Sequence, residues 1–268
     1  MPATPLVARS GGALHSTGST PAAAAAQAAS LGAAGCCCVL VLIDSASALW
    51  AWSRLVRGPR ALRDEPGLRM AKVLGSGRDG GFGLAPSATR QGLFCVFDEE
   101  AQARDFLDTS PVVAAYRRHA RELCTAMLRP TSCRGTWDGR ALPVAAGNPA
   151  AQPDAAAPRQ PQPIAALTRA SIRPSRVRDF WRRAPAAQRS LEGTAGCRLG
   201  VGLGEAPLLR QATFSIWDSA AAMDAYARQG AHQQAIRASQ AGDHFSESMF
   251  VRFAVLQVQG QWKGQRLD

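Results

Sequence analysis

The sequence predicts an α+β fold: two duplicated ferredoxin-like (β-α-β-β-α-β) units packed as a dimeric-α/β-barrel-like domain within one chain. Three observations support this prediction: an internal repeat, the same succession of strand-like and helix-like segments in both copies, and a Pro/Ala-rich stretch between them. Two repeats are too few for a solenoid, so the copies are expected to pair into one structure.

The repeat is clearest where residues 91–116 and 211–236 align without a gap. Identical residues occupy matched positions throughout this alignment: Gln91 and Gln211, Phe94 and Phe214, Asp98 and Asp218, Ala101 and Ala221, Ala115 and Ala235. Once gaps are allowed, residues 67–77 also match residues 196–206. An internal duplication explains these matches better than any single motif does.

Each copy contains four predicted strands and two predicted helices in the same order. In the first copy these are strands Cys37–Ile43, Leu68–Leu74, Gln91–Phe97 and Cys124–Pro130, a helix opened by Asp44 and Ser45, and a broken helix Glu99–Glu122. In the second copy they are strands Ile164–Ala170, Cys197–Leu203, Arg210–Trp217 and Ser248–Val258, a helix opened by Pro174 and Ser175, and a broken helix Ser219–Gln240. Asp98 and Asp218 are predicted N-caps. Packing the two open sheet faces together predicts an apolar chamber between them, which would be a natural ligand site.

Composition sets the predicted domain boundaries. Residues 1–35 are rich in Ala, Gly, Ser and Thr, which predicts a disordered Ala-rich extension. Residues 138–163 are dominated by Pro and Ala and are predicted to be a linker. The remaining segments are a first ferredoxin-like unit at 36–137, a second at 164–260 and a tail at 261–268. No run of ~18 consecutive apolar residues occurs, so no transmembrane helix is expected.

The formal net charge is +11, and arginine carries most of it. A solvated basic surface and attraction to an anionic membrane both explain such a charge. Because the arginines are not interleaved with exposed aromatic residues, nucleic acid is not an expected partner. We therefore expect a cytoplasmic protein, with peripheral contact with the inner membrane as an open alternative.

The other motifs argue against several kinds of chemistry. Seven cysteines, including the adjacent Cys36, Cys37 and Cys38, form no CxxC pair and no Cys/His metal spacing, which predicts buried thiols in a reducing compartment. Residues 75–83 are glycine-rich but lead from one predicted strand to another, so a hairpin loop is favoured over a phosphate-binding loop. The sequence has no GxSxG elbow, so hydrolysis is not expected.

Four histidines are candidate functional residues. His15 lies in the predicted extension, His119 on a predicted solvated helix surface, and His244 in a predicted loop before the last strand. His232 follows Gly230 in the first turn of a predicted helix, on the face that should point at the sheet. The helix N-terminus disfavours protonation there. The residues alone leave two alternatives for His232: a packed, hydrogen-bonded side chain or a neutral imidazole that binds a metal.

Several stretches in both copies resemble a known enzyme family. They are "KVLGSGRDGGFG", "LRPTSCRGTWDG", "IAALTRASIRPSRVRDFWRRAP", "LGVGLGEAPLLRQATFSIWDSAAAMDAYARQGAHQQAIRA" and "FVRFAVLQVQGQWKG". Over residues 38–264 the chain is similar to the spheroidene monooxygenases, the acyclic carotenoid 2-ketolases of purple photosynthetic bacteria. The second copy carries the longer and more specific part of this similarity.

The resemblance implies a haem-dependent monooxygenase that introduces a keto group into an acyclic carotenoid, of the spheroidene to spheroidenone type, using O₂ and reduced ferredoxin. It implies that His232 is the axial ligand of the haem iron, whereas Val112 stands at this place in the first copy. Arg210 and Gln211 would meet the haem propionates or bound O₂. Departures from the family pattern, at residues 67–75 and in the cysteine triplet, leave another apolar substrate open.

Two further interpretations of the chain stay open at this point. One is a cofactor-free or haem-degrading monooxygenase with the same fold, in which His232 would act as a base or as a ligand. The other is a non-catalytic protein that binds an apolar ligand or a partner. No catalytic side chain is assigned under the haem-dependent interpretation.

Overall fold

The computed structural model describes residues 35–81, 85–144, 162–182, 191, 193–206, 208–228 and 243–268. His232, most of the predicted N-terminal extension and the middle of the predicted linker lie outside the described residues. Within those residues, no helix has both the length and the apolar character needed to cross a bilayer. The described chain is an α+β structure built on one antiparallel sheet, which confirms the predicted class.

The first half of the chain contains four described strands and three α-helices. In chain order they are β1 (Cys37–Ser45), α1 (Ala48–Arg57), β2 (Leu68–Gly77), β3 (Pro86–Phe97), α2 (Glu100–Thr109), α3 (Pro111–His119) and β4 (Ala120–Gly135), with short 3₁₀ helices at Gly58–Leu62 and Arg78–Gly80. The predicted break in the second helix is confirmed. Ser110 ends α2 and caps α3, whose first residue is Pro111, a favoured position for proline.

The second half repeats this succession as far as it is described. Its elements are β5 (Ile164–Ile172), a 3₁₀ helix (Pro174–Arg176) that continues into helical residues 177–182, β6 (Cys197–Ala206), β7 (Arg210–Trp217), α4 (Ala220–Ala227), β8 (Phe245–Trp262) and β9 (Gln265–Arg266). Of the predicted helix Ser219–Gln240, residues 229–240 lie outside the described residues.

The strands of both halves join into one sheet with the order β4-β1-β3-β2-β6-β7-β5-β8-β9. The internal order is the same in each half: β4-β1-β3-β2 in the first and β8-β5-β7-β6 in the second. A long pairing between β4 and β8 runs from Cys124 opposite Gly260 to Gly135 opposite Met249. Because β2 also pairs with β6, the sheet closes on itself as a barrel, which leaves few free strand edges.

Side chains fill the interior of this barrel. Inward-facing residues alternate along each strand, as the two-residue period of a strand requires. The largest of them are the aromatic residues Phe94, Trp137, Phe214, Phe253 and Trp262. Trp137 is fully buried and stacks on Phe94 with 5.7 Å between the ring centroids. The predicted apolar chamber between the two sheets is therefore wrong, since packed side chains from the described residues occupy that space.

One end of the interior holds an interior charge cluster, which consists of Lys72, Asp138, Arg169, Glu205 and Glu247. Arg169 is 1% exposed, and its guanidinium pairs with Glu247 and, at 3.2 Å, with Glu205. The Lys72 ammonium lies 2.9 Å from Glu205 and also pairs with Asp138. Because these five residues come from both halves of the chain, the cluster links the halves through paired charges.

The predicted N-caps Asp98 and Asp218 are wrong by one position. The N-cap of α2 is Glu99, and the N-cap of α4 is Ser219. Each aspartate instead pairs with an arginine of the adjacent strand, Asp98 with Arg69 and Asp218 with Arg198. Both halves show the same arrangement, in which the N-cap lies one residue later and the aspartate forms an ion pair. The reason is that the strand-to-helix connection has the same length in each half.

The described ends of the predicted linker and tail pack on the barrel. Residues 137–140 form a tight turn, in which the Trp137 amide donates to the Arg140 carbonyl oxygen at 2.8 Å. Leu142 is 7% exposed and Leu267 is 5% exposed, and both belong to the interior cluster. The packed structure therefore extends to residue 142 and, at the other end, to residue 267.

Candidate functional site

Each half has an outer face, the sheet surface turned away from the barrel interior. On the first half, Val41, Leu93 and Val73 lie side by side on adjacent strands. Val41 and Leu93 are fully buried in a cluster that includes Phe106 of α2 and Tyr116 of α3. The outer face of the first half is therefore filled by its own side chains.

The matched positions on the second half carry small or polar residues. Thr168, Thr213 and Gly202 lie side by side in the equivalent register. Thr168 is exposed, although its strand is flanked by β7 on one side and β8 on the other. An exposed residue on a central strand means that space remains above the sheet at this position.

The neighbouring sets of cross-strand residues show the same contrast between the two halves. Larger outer-face residues of the first half are matched by smaller ones in the second half: Ile43 by Ala170, Val39 by Ala166, Cys95 by Ser215, and Ala71 by Gly200. We call the small-residue surface of the second half the outer trough; it consists of Ala166, Thr168, Ala170, Gly200, Gly202, Thr213 and Ser215. A floor without large side chains can accept a flat, mostly apolar molecule.

The described rim of the outer trough is aromatic and apolar. Trp217 is 1% exposed, and its indole Nε1 donates to the Ser215 hydroxyl at 2.9 Å. The Trp217 ring lies 5.2 Å from the Tyr226 ring. Leu191 and Met223 are buried in the same cluster, and Leu191 covers the end of the trough at Gly200, where an added Cβ would lie 3.0 Å from the Leu191 side chain. This buried cluster excludes water from one end of the trough.

The structure separates the two predicted polar site residues of β7. Gln211 is half-buried and shares the outer face with Thr213, and its side-chain amide lies beside Gly204. Arg210 is exposed and, being the adjacent strand residue, faces the opposite side of the sheet. Of these two residues, Gln211 alone is therefore on the same surface as the outer trough.

His244 is a buried residue that the sequence predicted as a loop residue. It precedes β8 and is 3% exposed, with Nε2 lying 2.6 Å from the Asp179 carboxylate. Its Nδ1 is buried without a hydrogen-bond partner among the described residues. Asp179 lies in helical residues 177–182, which also contain Trp181, whose Nε1 donates to the Leu208 carbonyl oxygen at 3.0 Å. A carboxylate-oriented imidazole was not recognisable in sequence, because Asp179 is distant along the chain.

The other histidines contribute less to the described site. His119 ends α3 and is half-buried, with its ring stacked on Trp50 at 4.6 Å between centroids. The predicted solvated helix surface is therefore only partly right for His119. His232 lies outside the described residues, as does His15. Val112, which occupies the place of His232 in the first half, is 8% exposed and packs in the outer-face cluster.

All seven cysteines are free thiols, and five of them are buried, as the sequence predicted for most of them. Burial raises the pKa of Cys37 and of Cys124 to about 12. A hydrogen bond with Cys38 lowers the pKa of Cys36. Protonated, buried thiols are poor nucleophiles and poor metal ligands, so Cys37 and Cys124 are packing residues.

Comparison with known proteins identifies relatives along most of the chain. No family model matches the sequence. The spheroidene monooxygenase of Rubrivivax gelatinosus is 59% identical over 229 residues, which cover 85% of this chain and 85% of the relative. The spheroidene monooxygenase of Rhodobacter capsulatus is 37% identical over 228 residues, which cover 84% of this chain and 92% of the relative.

Solved structures resemble the fold at much lower sequence identity. The aldoxime dehydratase OxdRE matches with a TM-score of 0.52 and 10% identity, covering 82% of this chain and 79% of that chain. A second aldoxime dehydratase matches with a TM-score of 0.50 and 10% identity, over 82% of this chain and 81% of the other. These similarities show a shared fold alone. By the identity and coverage of its sequence relatives, the chain belongs to the spheroidene monooxygenase family.

Proposed function

We propose that this protein is a haem-dependent monooxygenase that introduces a keto group into an acyclic carotenoid, using O₂ and electrons from reduced ferredoxin. Two relatives named spheroidene monooxygenase support a carotenoid as the substrate and oxygen insertion as the reaction. Ordinary acid–base side chains cannot oxidise an unactivated C–H bond. Haem, when bound, supplies the redox chemistry with O₂ that this oxidation needs.

The observation that locates the site is a difference between the two outer faces: among the described residues, the second half has small side chains and an exposed Thr168 where the first half has the buried Val41 and Leu93. Small residues occupy the three neighbouring strand positions Thr168, Thr213 and Gly202. The matched positions of the first half include the larger, buried Val41 and Leu93. Small floor residues fit a flat macrocycle that is mostly apolar. The described residues of the second half are therefore compatible with haem.

We propose that His232 would bind the haem iron, as the resemblance to the spheroidene monooxygenases implies. In the first half its sequence counterpart Val112 is buried against the sheet. Gln211 lies on the outer face, where its amide would donate to or accept from a polar group of the bound molecules. Arg210, on the opposite side of the sheet, remains a weaker candidate for haem propionates.

The same strand order in both halves supports an origin by duplication of a ferredoxin-like unit. We infer that the units kept their sheets and diverged on their outer faces. The first unit has Val, Leu and Ile on its outer face, and the second has small residues at the matched positions. One haem for each chain is the stoichiometry that follows from this asymmetry.

Haem binding is tested by the absorption spectrum of the purified full-length protein after supplementation with haem. A Soret band at one haem per chain is expected for the wild type, and its loss is expected for His232→Ala. His119→Ala is the matched histidine control and should keep the band, because His119 lies in the filled half. Absence of the band from wild type under every reconstitution condition would leave the cofactor-free alternative.

The outer trough is tested by filling it. Thr168→Trp places a large ring on an exposed strand position, so it should preserve the fold and weaken haem binding by about tenfold or more. Gln259→Trp, also at an exposed strand position but on β8 opposite Thr125 of the first half, is the control and should bind haem normally. Equal haem affinity in both variants would place the haem elsewhere.

The reaction is tested by co-expression with enzymes that make spheroidene, with the carotenoids separated by chromatography. Wild type should produce a keto carotenoid of longer absorption wavelength, and His232→Ala should leave the substrate unchanged. A haem-loaded wild-type protein that left every acyclic carotenoid unchanged would indicate another apolar substrate. Omitting the ferredoxin, with reductase and O₂ present, should stop the reaction.

A further inference from the structure

Helix α1 exposes an apolar stripe. Leu49 is 83% exposed, Trp52 is 52% exposed and Val56 is 78% exposed. Their spacing of three and four residues places all three on one face of the helix. Scattered exposed apolar residues are normal on protein surfaces, whereas an ordered row that includes a tryptophan is a feature of interaction surfaces.

The other face of α1 is firmly anchored, so the stripe is a fixed feature of the surface. Ala51 is fully buried, and Arg54 is 9% exposed with its guanidinium 5.8 Å from the Tyr116 ring. The Ser47 hydroxyl accepts a hydrogen bond from the Trp50 amide at 3.2 Å and caps the helix. The helix cannot turn the stripe inward without exposing these groups.

Exposed arginines flank the stripe at both ends. Arg57 ends α1, Arg60 and Arg63 follow it, and all three are exposed and form no ion pair with any described residue. Arg117 and Arg118 are exposed at the end of α3, which adjoins the start of α1 through the hydrogen bond from the Ala46 amide to the His119 carbonyl.

Few carboxylates offset this charge. Helix α1 contains no acidic residue, and Asp64 is the exposed carboxylate that follows Arg63 in the sequence. Asp44, before the helix, is already paired with Arg90 and Arg121. Glu65 is half-buried and lies 3.5 Å from the Ser110 hydroxyl. The surface around the stripe therefore carries a net positive charge.

We propose that α1 docks on the surface of an anionic phospholipid bilayer, with Leu49, Trp52 and Val56 inserted at the level of the headgroups and the arginines against the lipid phosphates. An apolar face bordered by cationic side chains, with tryptophan at the boundary, matches the interfacial zone of a membrane. An acidic protein would complement the arginines, but its charged surface would bury the three protruding apolar side chains less favourably than a bilayer would. The inference rests on the proposed function in one respect: a carotenoid substrate would be dissolved in that bilayer.

The test is flotation of the full-length protein with vesicles of phosphatidylcholine alone or mixed with phosphatidylglycerol. Wild type should float with the mixed vesicles, bind neutral vesicles weakly, and dissociate as the salt concentration rises. Leu49→Ser/Trp52→Ser/Val56→Ser and Arg57→Gln/Arg60→Gln/Arg63→Gln should each weaken binding to mixed vesicles by about 100-fold. Only the arginine variant should bind both vesicle types equally.

Matched controls distinguish binding through α1 from non-specific adsorption of other exposed apolar residues to vesicles. Val144→Ser/Leu209→Ser removes two apolar side chains that are each 37% exposed elsewhere, and it should float as wild type does. Trp52→Phe should keep most of the binding but lose most of the quenching of tryptophan fluorescence by brominated lipids. Unchanged melting temperatures would show that the serine and glutamine variants are folded.

Two outcomes would overturn the proposal. One is equal vesicle binding by wild type and the Leu49/Trp52/Val56 variant. The other is normal vesicle binding by the α1 variants with loss of reduction by ferredoxin, which would make α1 a docking surface for an acidic protein. Vesicle binding needs neither haem nor carotenoid, so it can fail or succeed independently of the proposed enzymatic function.

Discussion

The buried Arg169 illustrates how charged side chains inside the barrel are stabilised by ion pairs and hydrogen bonds. Its guanidinium is almost completely buried, lies 5.6 Å from the Trp137 ring and pairs with Glu205 and Glu247. Glu247 in turn accepts from the Gly139 amide at 2.8 Å and from the Thr136 hydroxyl at 2.9 Å. Each charge therefore has hydrogen-bond partners, which a buried ion pair requires.

Glu247 should make stability depend on acid pH. Burial alone would raise the pKa of Glu247, but the bonds from Gly139, Thr136 and Arg169 lower it from 4.5 to about 2. A carboxylate whose pKa is depressed in the folded state contributes stability above its unfolded pKa and loses it as the pH falls. The contribution of Glu247 should therefore be complete above about pH 4.5 and disappear towards pH 2.

Glu247→Gln should lower the free energy of unfolding by on the order of 2–4 kcal/mol at pH 7, and by progressively less as the pH falls from 4.5 to 2. Denaturant unfolding at several pH values measures this. Glu100→Gln, which removes a partly exposed carboxylate paired with Arg104 and Arg129, should cost less than about 1 kcal/mol. A pH-independent loss in the Glu247 variant would contradict the assigned role.

Residue roles that depend on distant neighbours were the least predictable from the sequence. The buried pair of His244 and Asp179 joins positions far apart in the chain, and no local pattern reports such a contact. Asp98 was predicted as a cap because aspartate is common there, but Arg69 on the adjacent strand provides a stronger partner. The identical outcome at Asp218 shows that the repeat itself was a dependable signal.

At the scale of elements, the pairing of β4 with β8 closes the barrel and is bounded by two glycines. Gly135 has φ +79° and Gly260 has φ +108°, a backbone region that side chains disfavour. A Cβ on Gly135 would lie 2.0 Å from the Ser248 carbonyl oxygen, and one on Gly260 would lie 2.1 Å from that of Leu123. Each glycine thus allows the facing backbone to approach closely.

Gly135→Ala and Gly260→Ala should each destabilise the protein by on the order of 2–4 kcal/mol, since both conformational strain and a backbone clash are introduced. Thermal or denaturant unfolding measures the loss. Gly139→Ala is the control: its φ is +74°, but nothing lies within 4 Å of the added Cβ, so about 1 kcal/mol is expected. Similar losses in all three variants would assign the effect to backbone strain alone.

Strands were easier to predict than their lengths. Local sequence patterns predicted all eight long strands, and the bounds of β7 were predicted correctly. β4 and β8 are longer than predicted because they pair with each other over their outer portions. That pairing stabilises residues such as Arg134 and Gly260, which local sequence would not assign to a strand.

At the scale of the whole molecule, two strand pairings join the halves of the barrel, a strong seam (β4 with β8) and a weak seam (β2 with β6). β4 and β8 are paired along most of their length, whereas β2 and β6 meet at two residue pairs, Gly75 with Gly204 and Ser76 with Leu203. The Ser76 hydroxyl adds one bond to the Gly202 carbonyl oxygen at 2.7 Å. Local opening is expected to begin where the fewest bonds must break.

Hydrogen exchange under native conditions should therefore be faster at the β2–β6 seam than at the β4–β8 seam. Backbone amides of Ser76 and Gly204 should exchange well before those of Ala126 and Val258. Ser76→Ala should accelerate exchange at the weak seam and leave the strong seam unchanged. Uniform exchange around the ring would mean that the barrel opens only as a unit.

The order of strands followed from the repeat, but the filled interior did not. A chamber between the sheets is expected from two open sheet faces packed together, but the turn after β4 inserts Trp137 between them, and no local pattern predicts this. The open surface lies instead on the outer face of the second half. Its signal was present in the sequence as Gly200, Gly202 and Thr168, small residues at positions where the first copy has larger ones.

The contrast between Val41 and Thr168 has a consequence for how such a protein can change. In an assembly of two identical chains, every substitution appears at both symmetry-related positions. Replacing large residues by small ones on one copy therefore replaces them on the other. Joining the copies in one chain removes this constraint. One copy can keep a well-packed surface that sustains folding, while the other accumulates the small residues that a large ligand needs. Variants that alter substrate choice should therefore be sought in the second copy, with the first left as it is.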